Sequence, residues 1–113
     1  MHEFWICQRI FDIVKEHADK EKCTRVKIIY LEISELAMID KSALLFSFDV
    51  VTKNTISENA LLKFIDVPGR GWCEYCHVEK KINRYDQACD VCGNFLRVID
   101  KGEELRVKNM EIE

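Results

Sequence analysis

Cys73-Glu74-Tyr75-Cys76, a spacer of twelve residues, then Cys89-Asp90-Val91-Cys92-Gly93: this stretch decides how the chain is organised. Two residues between cysteines let both sulfurs of a pair reach one metal ion from a tight turn. Two such pairs supply four thiolates in a tetrahedron. The spacer is a little shorter than in common zinc ribbons but long enough for a short hairpin. The reading is a closed structural site made by Cys73, Cys76, Cys89 and Cys92, with Zn(II) as the first choice of ion. Iron fits the same all-thiolate geometry. Cys73-x-x-Cys76-His77 also matches the c-type haem attachment pattern, but the second pair and the lack of a visible export signal argue against haem. A thioredoxin-like redox pair needs a βαβ context, which the flanking sequence does not offer. Four unliganded core cysteines are a poor alternative, because their neighbours are mostly polar.

Charge bears on what such a module could touch. Residues 68–102 hold six Lys or Arg and five Asp or Glu, a net of +1. Four thiolates around one Zn²⁺ bring that to about −1, weak ground for phosphate binding. A four-cysteine site also leaves no coordination position open for a catalytic water. Structure or protein docking is therefore the expected role, not nucleic-acid binding or catalysis.

On the N-terminal side, residues 3–21 carry Cys7, Ile10, Phe11, Val14 and Ala18 at helical spacing, with polar residues on the opposite face. Residues 25–34, RVKIIYLEIS, are rich in β-branched residues and predict a strand with both faces partly covered. Asp40 precedes a second helix at about 41–53, with Leu44, Leu45, Phe48 and Val51 as its apolar stripe. Asp40 stands where an N-cap belongs. Residues 60–67 predict another strand, which Pro68-Gly69-Arg70-Gly71 ends. On the C-terminal side, residues 103–113 alternate around Leu105, Val107, Met110 and Ile112 and predict a closing strand that pairs with 25–34 or 60–67. The fold class is α+β. Residues 1–67 plus 103–113 make a small mixed body of two helices on a roughly three-stranded sheet, and residues 68–102 are an inserted zinc-ribbon-like module.

The whole chain sets the outer limits. Its 113 residues are 48% apolar and 33% charged, with a net charge of −3. That suits one small globular body with a modest core that a metal staple would strengthen. No apolar run approaches the length needed to span a bilayer. The start, Met1-His2-Glu3-Phe4, has an acid where a signal peptide has lysines. The expectation is a cytoplasmic protein, where paired cysteines serve as metal ligands rather than disulfides. Cys7 falls on the apolar stripe of the first helix and reads as a small buried hydrophobe, while Cys23 has no evident role.

His2 adds a second chemical feature. A histidine next to a chain terminus is most often simply solvated. At position 2, however, the α-amine, the backbone nitrogen of residue 2 and the imidazole can close small chelate rings on one ion. A further oxygen from Glu3 or another loop completes a nitrogen-rich site of the kind Ni²⁺ or Cu²⁺ prefers.

Taken together, Met1-His2-Glu3 followed by an amphipathic helix, Pro68-Gly69-Arg70-Gly71-Trp72-Cys73, the two CxxC pairs and Gly102-Glu103-Glu104-Leu105-Arg106-Val107 resemble the HypA/HybF family of hydrogenase nickel-incorporation proteins. The likeness runs through the whole chain in the family's order. It implies a non-enzymatic metallochaperone that carries Ni(II) as cargo and keeps Zn(II) for structure. It implies a nickel site from the Met1 amine, the His2 side chain and backbone, and Glu3, with Asp40 nearby. Ala37-Met38-Ile39-Asp40-Lys41-Ser42 resembles a stretch beside that site in some members. The family's zinc ligands correspond to Cys73, Cys76, Cys89 and Cys92. Its partners are the GTPase HypB and the hydrogenase large-subunit precursor, and some members also serve urease maturation. Some members place histidines beside both cysteine pairs. Here His77 follows the first pair, but Asn94 and Phe95 follow the second.

Overall fold

The computed structural model describes the backbone of residues 2–113 and the side chains of residues 3–113. The helical spacing of residues 3–21 becomes α1, His2–Glu21, and its stripe is buried at Ile6, Cys7, Ile10, Val14 and Ala18. Lys22, with φ of 53°, follows the helix. β1, Val26–Ser34, buries Ile29, Leu31 and Ile33 on one face and half-covers Ile28 and Tyr30 on the other. Both faces of this strand are in use, as the apolar residues on both of its sides predict.

Asp40 starts α2, Lys41–Val51, by accepting a hydrogen bond from the Ala43 backbone N–H at 3.1 Å. This bond satisfies one of the amide groups that a helix start leaves without a partner. α2 buries Leu44 and Phe48, while Leu45, expected in the stripe, is left partly exposed. β2 is Leu61–Val67 and β6 is Leu105–Ile112. The first sheet has the order β2-β1-β6, so the closing strand pairs with β1. Thr24 N–H meets the Glu113 carbonyl and Ser34 N–H meets the Glu104 carbonyl. The two strands therefore run antiparallel, and their side chains are joined by Tyr30–Glu111 and Arg106–Glu32 contacts.

The second sheet contains β3, Gly69–Cys73, flanked by β4, Val78–Ile82, and β5, Arg97–Asp100, both antiparallel to it. β2 ends at Val67, as Pro68-Gly69-Arg70-Gly71 predicts, but the chain enters a new strand at once. The two glycines belong to the central strand of the second sheet. A Cβ at Gly69 would lie 2.4 Å from Leu36 Cδ1, and one at Gly71 would lie 3.1 Å from both Ile82 Cγ2 and Leu96 Cβ. Glycine stands here because the core closes tightly over the strand, not because the chain turns.

Residue contacts divide the chain into two units. The first is residues 1–31, 39–64 and 107–113, and its core lies between α1, α2 and the sheet residues Val26, Ile29 and Leu31. The second is residues 32–38 and 65–106, with a core of Leu36, Cys73, Ile82, Cys89 and Leu96. No helix among the described residues is long and apolar enough to cross a membrane.

Candidate metal centres

β3 runs directly into the first cysteine pair. Cys73 is its last residue, a turn carries Cys76, and β4 starts at Val78. The His77 N–H returns to the Cys73 carbonyl at 2.9 Å. The second pair repeats this device: the Gly93 N–H returns to the Cys89 carbonyl at 2.9 Å. Each turn ends on a residue in the left-handed region, His77 at φ 54° and Gly93 at φ 80°. Glycine adopts that conformation freely, whereas histidine does so at a cost. The two turns are thus alike in backbone and unlike in side chain.

All four Sγ atoms lie within 4.8 Å of one another, and Cys73 and Cys92 are 3.4 Å apart. A tetrahedron with metal–sulfur bonds of about 2.3 Å has its sulfurs about 3.8 Å apart. The four thiols therefore fit one zinc-sized ion without rearrangement of the chain. Cys73 and Cys89 are buried, Cys76 is half-buried and Cys92 is exposed. The cluster is gripped from the core side and open at one corner.

Neighbours tune these sulfurs unequally. Backbone and side-chain N–H groups of Asn94 point at Cys92 and pull its thiol down to about 6. Hydrogen bonding to Cys92 and burial push the Cys76 thiol up to about 12. A bound cation reverses the second effect by favouring thiolate at every ligand. Asn94 had no assigned role in the sequence reading. Its place two residues after the last cysteine, the first that the chain can turn back on the sulfur, was the available signal.

Ion pairs surround the knuckles: Arg97–Glu74 at 2.7 Å, Lys80–Asp90 at 3.0 Å, and Arg70 between Glu79 and Asp100 at 3.3 Å each. The module's basic groups are largely matched by acids, which leaves no continuous cationic face for a phosphate backbone.

The other predicted site lies in the first unit. Met1 and the side chain of His2 fall outside the described residues. Glu3 sits in the first turn of α1. One turn further along, Cys7 donates to the Leu44 carbonyl at 3.1 Å. Burial, then the nearby Glu3 carboxylate, push its thiol up to about 11. Cys7 is accordingly a protonated packing residue, as its place on the apolar stripe predicts. Cys7 meets Leu44, and the later residues Phe11, Lys15 and Asp19 line a shared groove with Asn54, Thr55 and Ile56. Both contacts advance together along the chain, so α1 and α2 run in the same direction. Glu3 and Asp40 consequently lie at the same end of the helix pair. Asp40 uses one carboxylate oxygen as the α2 cap.

Comparison with known proteins matches this layout from end to end. The family described as "Hydrogenase/urease nickel incorporation, metallochaperone, hypA" matches residues 1–112. The hydrogenase maturation factor HypA of Legionella pneumophila strain Lens is 46% identical over 113 residues, covering 100% of both chains. That of Azotobacter vinelandii is 39% identical with the same coverage. The solution structure of the Ni metallochaperone HypA from Helicobacter pylori superposes with a TM-score of 0.67 at 22% identity, over 97% of this chain and 96% of that one. This last likeness speaks for the fold alone, two helices with two small sheets, while the family match and the curated relatives speak for descent. The chain belongs to the HypA family of hydrogenase and urease nickel-incorporation metallochaperones.

Proposed function

We propose that this chain carries Ni(II) from its N-terminus to a hydrogenase precursor, while a Zn(II) ion in Cys73, Cys76, Cys89 and Cys92 holds its second unit together. The observation that carries this reading is the family match beginning at residue 1, so that it takes in the Met1-His2-Glu3 start as well as the cysteine pairs. On this reading residues 1–67 plus 103–113 form the nickel-binding body and 68–102 the zinc-binding module.

The chemistry of the start supports transfer rather than storage. His2 opens α1. The first-turn amides of a helix have no intrahelical acceptor, so recruiting the nitrogen of residue 2 costs α1 no hydrogen bond. The positive end of the helix dipole repels a cation there and weakens the site. Met1 amine, His2 nitrogen donors and the Glu3 carboxylate make a small donor set that a receiving protein can displace one group at a time. Asp40, already bonded to the Ala43 amide, contributes at most its second oxygen.

The acceptors are the GTPase HypB and the hydrogenase large-subunit precursor, met in the cytoplasm, with urease maturation proteins as further clients in hosts that make urease. The test is nickel titration of zinc-loaded protein with its native start against the same chain carrying two extra residues before Met1. The extension turns the amine into an amide. Nickel binding at least tenfold weaker, with zinc unchanged, is expected; equal binding would remove the N-terminal site.

A further inference from the structure

The four cysteines are not equivalent. Cys92 is the one exposed cysteine of the cluster, and its chain neighbours Val91, Asn94 and Phe95 are exposed as well. Cys73, 3.4 Å away, is fully buried at the end of β3, and Cys89 is buried beside it. A reagent arriving from solvent therefore meets Cys92 first. A zinc-bound sulfur keeps thiolate character, which is what makes cysteine react with oxidants.

We propose that Cys92 is an oxidation site through which a hydroperoxide opens the module reversibly, a reading that rests on zinc being the resident ion. In the first step the Cys92 thiolate attacks the outer oxygen of the hydroperoxide. A sulfur–oxygen bond forms, the oxygen–oxygen bond breaks, and the alkoxide or hydroxide that leaves takes up a proton. The sulfenic acid is a poor zinc ligand. In the second step the Cys73 thiolate attacks the Cys92 sulfur, the sulfur–sulfur bond forms, the sulfur–oxygen bond breaks, and the departing hydroxide takes a proton from solvent to become water. Two thiolates supply two electrons and the peroxide accepts both. The disulfide joins the two turns, removes two of four ligands and releases Zn²⁺. Thiol reductants reverse it.

Asn94 acts as a brake. Its side-chain N–H lies 3.4 Å from Cys92 Sγ and holds the electron pair that the peroxide would take.

The test uses full-length zinc-loaded protein and hydrogen peroxide, with zinc release followed by a chromogenic chelator. Sulfenic acid is trapped with dimedone and disulfides are mapped by mass spectrometry. Dimedone should label Cys92 first, zinc should leave at the rate a Cys73–Cys92 disulfide appears, and a thiol reductant with added zinc should restore the metal. Asn94→Ala, which keeps all four ligands, should release zinc several-fold faster. Cys23→Ser, lacking the half-buried thiol outside the cluster, should release it at the wild-type rate. First labelling at Cys73, Cys76 or Cys89, a disulfide elsewhere, or release that depends on Cys23 would each overturn the proposal. Protein that carries no zinc at the outset would overturn the zinc reading and this proposal with it, whereas zinc-bearing protein with inert Cys92 would overturn the proposal alone.

Discussion

The two candidate metal regions of this chain, the cysteine cluster and the start of α1, arrange their donors in opposite ways. The cysteine cluster draws its donors from two separate turns, locks each turn with a backbone hydrogen bond, and buries two sulfurs in a core. On the proposed reading, the start of α1 would offer a few donors in one short run, where the helix contributes an unfavourable dipole. On the proposed reading, that difference would separate an ion the fold depends on from an ion the protein hands over. A resident metal needs donors fixed by tertiary structure. A cargo metal needs donors that come away singly.

Removing a zinc ligand gives the largest expected effect. Cys89→Ala leaves three thiolates, and metal binding and local folding are coupled in such modules. Stoichiometric zinc should be lost, and amide exchange should rise across residues 68–102 while α1 and α2 stay protected. Uniform loosening of both units would break the contrast between them. A core deletion in the first unit should invert the pattern. Leu44→Ala, at a fully buried position, should cost about 2–5 kcal/mol in urea unfolding and leave zinc in place.

Two smaller changes sharpen the comparison within the cluster. Gly71→Ala forces a methyl against Ile82 and Leu96 and should destabilise the module by about 1–3 kcal/mol. Gly93→Ala has open space for its methyl but the wrong backbone angle, so a cost of about 1–2 kcal/mol is expected, with zinc retained. Thermal unfolding of zinc-loaded protein checks both.

The smallest effect concerns Tyr30. Its hydrogen bond to Glu111, then burial and the Glu111 charge, raise the phenol above its ordinary value near 10. A folded-state pKa raised above the unfolded one gives stability that is complete below pH 10 and is lost as pH climbs through the raised value. Tyr30→Phe should therefore flatten the alkaline fall in urea midpoint and leave the zinc content unchanged.

Much of this was legible in the sequence, for reasons specific to each part. The CxxC pairs announce themselves because ligand spacing is a local property. The helices and the strands around the first core show because their apolar residues repeat at the period of the element. β4 and β5 did not show, since VEKKI and RVID are half-exposed ribbons with no clean alternation. Pro68-Gly69-Arg70-Gly71 marked the end of β2, but the place of Gly69 and Gly71 in β3 did not show, because a glycine that clears space for Leu36, Ile82 and Leu96 looks, in sequence, like one in a turn. Leu45 joined the predicted stripe by spacing alone, yet that side of α2 is left uncovered. The candidate nickel donors were legible only because their order at the terminus is itself the signal.

The most direct test of the account is a calorimetric nickel titration of untagged wild type and His2→Ala, with zinc counted in both. Wild type should bind nickel more weakly as pH drops from 8 to 6, because an α-amine of pKa about 7.7–8.0 and an imidazole near 6.5 must give up protons. His2→Ala should bind none at that site and should still carry one zinc per chain. Equal nickel affinity in the two proteins, or loss of zinc with His2, would contradict the assignment of two metals to two regions.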